Sequence, residues 1–161
     1  LLSMPIRPIE IMIGKIAPFV LVGFVQMTII IGAASYLFDV PIRGSIGLLI
    51  LLSTLFAAAN LAVGYTFSTI AKNQLQAVQM TFFFFLPNIL LSGFMFPFRG
   101  MPQWAQVVGE ILPLTHFMRI ARGIMLKGNG LADMKLDVLA LVLFLAAAMV
   151  LALLRFRRTL D

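Results

Sequence analysis

Charge is scarce in this sequence, and much of what can be excluded follows from that. Charged residues make up 11% of the 161 positions, where a soluble domain carries about a quarter. Hydrophobic residues make up 61%, and the mean hydropathy is +1.06. A water-soluble domain is excluded, and the chain reads as an all-α polytopic membrane protein with no soluble module. Cysteine is absent, which removes disulfides and thiolate metal sites. His116 is the only histidine, so no multi-histidine metal site is expected. No phosphate-cradling GxxxxGK[ST] loop occurs, because Gly14-Lys15 lacks both the upstream glycine and the following hydroxyl. No catalytic residue is therefore expected, and ATP hydrolysis by this chain is not. No acidic residue stands at the middle of an apolar run, where a proton relay needs one, and Glu110 and Asp137 form no obvious acid pair. The net charge of +6 needs no nucleic acid, since basic residues flank membrane spans and meet anionic lipid there.

Four apolar stretches are long enough to cross a bilayer, at about 16–38, 45–71, 77–96 and 136–154. At 1.5 Å per residue, the first reaches about 35 Å, enough for the hydrocarbon core. Pro5, Arg7, Pro8, Glu10 and Lys15 form a polar, proline-punctuated lead-in to it. The opening Leu1-Leu2-Ser3-Met4 has no initiator methionine, basic n-region or cleavage site, and reads as the middle of a longer protein. Four spans put both termini on one side, and the C-terminal Arg155, Arg157 and Arg158 argue that this side is cytoplasmic. Arg7, Lys15 and Lys72 fall there too, making six basic residues; Arg43, Arg99, Arg119, Arg122, Lys127 and Lys135 make six on the other side. The orientation therefore rests on the short loops alone.

The stretch between the last two spans is different in kind. It is too apolar for a surface loop, and Pro87, Pro97, Pro102 and Pro113 break it too often for one membrane helix. The third span is expected to falter at Pro87-Asn88. Residues 103–112 place Trp104, Val107, Val108, Ile111 and Leu112 on one helical face and Gln103, Gln106 and Glu110 on the other. Residues 116–126 repeat the pattern, with Phe117, Ile120, Ala121, Ile124 and Met125 apolar and His116, Arg119 and Arg122 polar. Thr115 is expected to cap the second helix and Gly128 to end it. The reading is a re-entrant or interfacial helical hairpin over about 101–128, bordering a pathway, because irregular backbone at membrane depth needs protein or a wet cavity around it.

Polar residues inside the spans admit two readings. Gln26, Asn60, Gln79 and Asn88, with Thr28 and Thr66, either line a substrate route or serve as interhelical hydrogen-bond glue. Gly23, Gly32 and Gly64 allow close helix approach. The run Phe82 to Phe85 covers all sides of its helix, so some rings face lipid or a partner. Trp104 suits an interfacial anchor. Arg119, Arg122 and Lys127 read as grips for lipid headgroups or for an anionic substrate. His116 reads as an interfacial side chain bonded near a helix start.

The segments LLSGFMFPFRGMPQWAQ and LPLTHFMRIARGIMLKG resemble the C-terminal half of ABC-2 type permeases, the membrane subunits of type-2 ABC exporters, and among them the bacterial drug exporters. Ser92-Gly93, Pro97, Met101-Pro102, Pro113, His116, Arg122-Gly123 and Lys127-Gly128 fall where that pattern expects them. The opening LLSMPIRPIEIMIGKIAPF resembles the family's segment just after its cytoplasmic coupling helix. The resemblance implies a single transmembrane domain, 1–161, corresponding to the last four of six spans. It implies a dimer of like or unlike permease subunits in the bacterial inner membrane. It also implies a cytoplasmic ATPase partner that binds ATP and Mg, with no cofactor on this chain. Pro5, Arg7, Glu10 and Lys15 would couple to the ATPase. Gly93, Pro97, Pro102, Trp104, Pro113, His116 and Arg122 would shape an outer gate. The substrate would be hydrophobic or amphipathic, drug-like or lipidic. The alternative is a structural or assembly membrane protein, or a permease remnant, that transports nothing.

Overall fold

A computed structural model describes residues 7–160. Six helices carry the fold: α1 (Pro8–Leu37), α2 (Ile46–Ile70), α3 (Gln74–Leu91), α4 (Gln103–Ile111), α5 (Pro113–Arg122) and α6 (Lys135–Leu160). Among the described residues, four of them, α1, α2, α3 and α6, are long and apolar enough to cross a membrane. This is an all-α, multi-pass membrane fold.

Local chemistry sets the helix ends. Pro8 opens α1, where its missing N–H costs nothing, and the Arg7 N–H donates to the Glu10 carboxylate at 3.3 Å. The lead-in expected to precede the first span is thus already helical from Pro8. Pro5 lies outside the described residues. The Ser45 hydroxyl caps α2, accepting from Leu48 N–H at 3.2 Å. Asn73 caps α3 by accepting from Gln76 N–H at 2.8 Å, and the Gln76 side chain accepts from Lys72 N–H at 2.7 Å. This reciprocal cap starts α3 at Gln74, earlier than the apolar run suggests. Pro87 lies inside α3 without ending it: the helix continues to Leu91, and stops short of residue 96. Asn88 donates to the Phe84 carbonyl and Ser92 to the Ile89 carbonyl, so side chains occupy carbonyls in the last turns. The helix that carries the fourth span, α6, continues beyond the apolar run, to Leu160.

α2 is the central span. It packs against α6, α1, α5 and α3. The buried core joins Leu49 and Leu52 of α2 to Ile120 and Ile124 of the hairpin region and to Met134 and Leu141 at and within α6. Phe56 of α2 stacks on Phe117 of α5 with ring centroids 4.5 Å apart. Farther along, Phe84 of α3 meets Phe67 of α2 and Phe144 of α6, while Phe82, Phe83 and Phe85 are exposed. One ring of the phenylalanine run turns inward and three turn out. Gly23 of α1 lies against α2, where an added Cβ would stand 3.6 Å from that of Ala57; a Cβ on Gly32 or Gly64 would meet nothing within 4 Å among the described residues.

Two backbone bonds fix which end of the bundle carries the hairpin. Arg43 N–H and Gly44 N–H, in the turn between α1 and α2, donate to the carbonyls of Met125 and Ile124 at 3.1 and 2.9 Å. That turn and the α4–α5 region therefore share one end. At the other end, the Lys15 ammonium lies 5.9 Å from the centre of the Tyr65 ring.

Candidate functional site

The α4–α5 region and its seam with α3 and α6 form the candidate site. Three prolines build it by opening helices. Pro97 precedes the 3-10 turn Phe98–Gly100, Pro102 precedes α4, and Pro113 is the first residue of α5. Each supplies a fixed φ where no N–H is needed. Leu112 is thus the residue before the second helix. Thr115 does not cap it: the Thr115 hydroxyl is buried inside the first turn with no hydrogen-bond partner among the described residues. α5 ends at Arg122 and runs into a π-helical turn, Gly123–Lys127, which Gly128 closes in the left-handed region at φ +66°.

Small residues let α4 approach α3. A Cβ on Gly109 would stand 2.5 Å from the Leu91 carbonyl oxygen, so only glycine fits at this crossing. Ala105 and Gly109 are the buried residues of α4. Its larger apolar side chains, Trp104, Val107, Val108 and Ile111, are all exposed. An open apolar groove of about 410 Å³ lies beside them, lined among others by Leu90, Leu91, Phe96, Met101, Trp104 and Ala105.

Polar bonds tie the region to the spans. Gly93 sits at φ +89°, a backbone region that side chains resist, and its carbonyl accepts from the Arg122 guanidinium at 3.1 Å. Asn88 is buried, and its Oδ1 accepts from Leu114 N–H at 3.4 Å. His116 is also buried. Its Nδ1 lies 2.9 Å from Asp137 Oδ1 on α6, and its Nε2 lies 2.6 Å from the Glu110 carbonyl at the end of α4. Arg119 makes a two-pronged pair with the Glu110 carboxylate, one arm at 3.0 Å, and its Nη1 is 3.6 Å from Asp137 Oδ1. The same guanidinium lies 4.9 Å over the Phe98 ring. The hydrogen bond and charge of Arg119 hold the Glu110 carboxyl below its ordinary range, against the opposing effect of partial burial. Glu110 in turn raises Arg119. With a guanidinium between the carboxylates, this is an ion-pair network, and no group among the described residues is arranged to hold a metal.

The structure thus brings His116, Arg122, Gly93 and Asn88 into one seam, with Pro97, Pro102 and Pro113 shaping it and Trp104 on its outer surface. It does not bring the other route candidates together. Gln26 and Gln79 are exposed on α1 and α3, and Asn60 donates to the Phe56 carbonyl of its own helix at 2.9 Å. No hydrogen bond among the described residues joins any two of Gln26, Asn60, Gln79 and Asn88. Arg7 is the residue before α1, and Glu10 and Lys15 lie in its first turns. Sequence reasoning missed Glu110 and Asp137 as partners of His116, and Arg119 as the cation that pairs with both. The available signal was their setting: charged groups in an apolar surround must find one another or remain unsatisfied.

The chain matches the family described as "ABC-2 family transporter protein" over residues 1–154. A probable multidrug ABC transporter permease of Escherichia coli, YbhS, is 33% identical over 162 residues, covering 100% of this chain and 43% of the relative. The inner membrane transport permease YhhJ of Escherichia coli is 36% identical over 163 residues, with the same coverages of 100% and 43%. The ABC transporter G family member 20 of Dictyostelium discoideum is 32% identical over 153 residues, covering 92% of this chain and 21% of the relative. The chain therefore spans less than half the length of these relatives. No solved structure matches it. A family match across nearly the whole chain, with four membrane-length helices, leads to one conclusion: the chain belongs to the ABC-2 transporter family.

Proposed function

We propose that these residues form part of the membrane-spanning permease of an ATP-driven exporter, acting with a cytoplasmic ATPase that binds ATP and Mg. The observation that carries this reading is the family match over residues 1–154, joined to permease relatives that align with the whole chain. Energy enters at the end of the bundle that carries Arg7, Glu10 and Lys15, and the C-terminus lies in the cytoplasm with it. The α4–α5 hairpin re-enters or lines the membrane at the opposite end, as an outer gate. ATP favours one of two arrangements of the spans, and their rigid-body movement carries the gate. The functional unit pairs two permease subunits. The substrate is hydrophobic or amphipathic, a drug-like or lipidic molecule; the apolar groove and the exposed apolar face of α4 suit such a molecule and offer no built charge site for a polar one.

The test is reconstitution of the full-length protein with its ATPase in liposomes, reading ATP hydrolysis and efflux of a lipophilic dye together. Substrate-stimulated hydrolysis with ATP-dependent efflux is expected. Substitution of Arg7, Glu10 and Lys15 is expected to uncouple hydrolysis from efflux while the permease stays folded. A protein that purifies with no ATPase, and moves no lipophilic dye under any ATPase supplied, would overturn the reading in favour of a structural membrane protein.

A further inference from the structure

We propose that His116 is held as a cation protonated on both ring nitrogens, and that it is the proton-controlled latch between the hairpin and α6. The two ring nitrogens face two acceptors. Asp137 Oδ1 is 2.9 Å from Nδ1, and the Glu110 backbone carbonyl is 2.6 Å from Nε2. A carbonyl oxygen and an ionised carboxylate only accept, and a neutral imidazole donates from one nitrogen alone. Both contacts coexist only when each nitrogen carries a proton. The Arg119 guanidinium lies against the same Asp137 oxygen, its Nη1 3.6 Å away.

The charge balance points the same way. The charged groups facing His116 are Glu110 from α4, Arg119 from its own helix and Asp137 from α6. α2 and α3 carry no charged residue; the titratable Tyr65 of α2 lies at the far end, near Lys15. Lys127 of the π turn is exposed, and Asp133, before α6, accepts from Gly130 N–H. A cationic ring closes the cluster at two positive and two negative groups. A neutral ring leaves it with an excess anion beside the buried imidazole, which is the less favourable arrangement.

The mechanical consequence follows from connectivity. His116 to Asp137 at 2.9 Å is the short polar bond between the α4–α5 hairpin and α6, with the longer Arg119–Asp137 pair at 3.6 Å beside it. When the ring loses a proton, one of the two contacts becomes acceptor against acceptor. Either Asp137 or the Glu110 carbonyl is released; where it is Asp137, the hairpin keeps the longer Arg119 contact at 3.6 Å to that carboxylate but loses the short bond that holds it to α6. This device stands on the geometry of this chain and does not require the transport reading.

The test uses the full-length protein in lipid nanodiscs with nitrogen-15-labelled histidine, the relevant ring signal being the one lost in His116→Gln and in His116→Asn. Ring nitrogen shifts and amide hydrogen exchange over residues 103–122 are followed through a pH series. Both ring nitrogens are expected to be protonated while the hairpin is protected. Exchange in 103–122 should rise roughly tenfold or more in the same step that removes the ring proton, with α2 unaffected. Asp137→Asn should abolish that step. A ring that is singly protonated while the hairpin is fully protected would overturn the proposal. So would protection that does not change through the ring's deprotonation, which needs no variant to observe.

Discussion

α4 and α5 follow one another, are of similar length, and carry the same kind of amphipathic pattern, yet they meet opposite surroundings. α5 turns Ile120 into the core and packs Phe117 and Ala121 against it, beside Leu49 and Leu52 of the central span. α4 buries only Ala105 and Gly109 and leaves Trp104, Val107, Val108 and Ile111 outside the chain. The polar side differs too. His116, on the polar face of α5, is buried between Glu110 and Asp137. An amphipathic pattern shows that a helix has an apolar face to cover; it does not say what covers it. In a soluble protein both faces would have to go inward. A bilayer offers a second apolar medium, and close approach by small residues can mount a helix on the protein by its narrow side.

Substitutions on the two sides would break or sharpen this contrast. The largest effect is expected where the apolar face is inside. Ile120→Ala or Ile124→Ala should lower stability in lipid by about 2–3 kcal/mol through the cavity it leaves. Val107→Ala or Ile111→Ala on α4 should stay within about 0.5 kcal/mol. Reversible unfolding of the purified protein checks both, and equal losses on the two helices would erase the distinction. Next comes the narrow side of α4. Gly109→Ala drives a methyl group into the Leu91 carbonyl and should cost about 1–3 kcal/mol, with Trp104 fluorescence reporting displaced α4. An Arg122→Gln variant should cost about 1 kcal/mol, by loss of the bond to the Gly93 carbonyl; protease sensitivity of residues 92–100 is the readout.

The smallest effect is electrostatic. Arg119 holds the Glu110 carboxyl below the ordinary glutamate value of 4.5. A depressed carboxylate contributes stability that is fully present above its unfolded value and is lost as pH falls through the folded one. The pair is partly exposed, so its share is small and weakens with salt. Glu110→Gln should flatten the acid limb of the stability–pH curve below 4.5 and leave the neutral region nearly unchanged.

Much of this architecture is legible from composition and period. Four apolar runs give four membrane-length helices, and both hairpin helices lie near where their periodicity places them. Helix ends were less legible, for local reasons. Gln76 looks like a loop residue until Asn73 and Lys72 are seen to cap with it, and Pro87 looks like a stop although its helix runs on to Leu91. Thr115 looks like a cap, but α5 starts at Pro113, two residues ahead of it. The seam was the least legible part. Glu110, His116, Arg119 and Asp137 are spread over 28 residues, counted from 110 through 137, and only the reversal at Leu112-Pro113 and the return of α6 bring them together. Sequence spacing carries no record of that meeting.

The contrast between the two helices is tested most directly at Trp104, the only tryptophan in this sequence, which is 68% exposed on the outer face of α4. Its fluorescence, taken as the difference between the full-length protein and its Trp104→Phe variant, should be measured in bilayers whose acyl chains carry bromine at defined depths. Strong quenching by bromine near the headgroups is expected if α4 turns its apolar face to the membrane while α5 turns inward. An unquenched Trp104 signal at every depth would contradict that arrangement and place the face of α4 against protein or water instead.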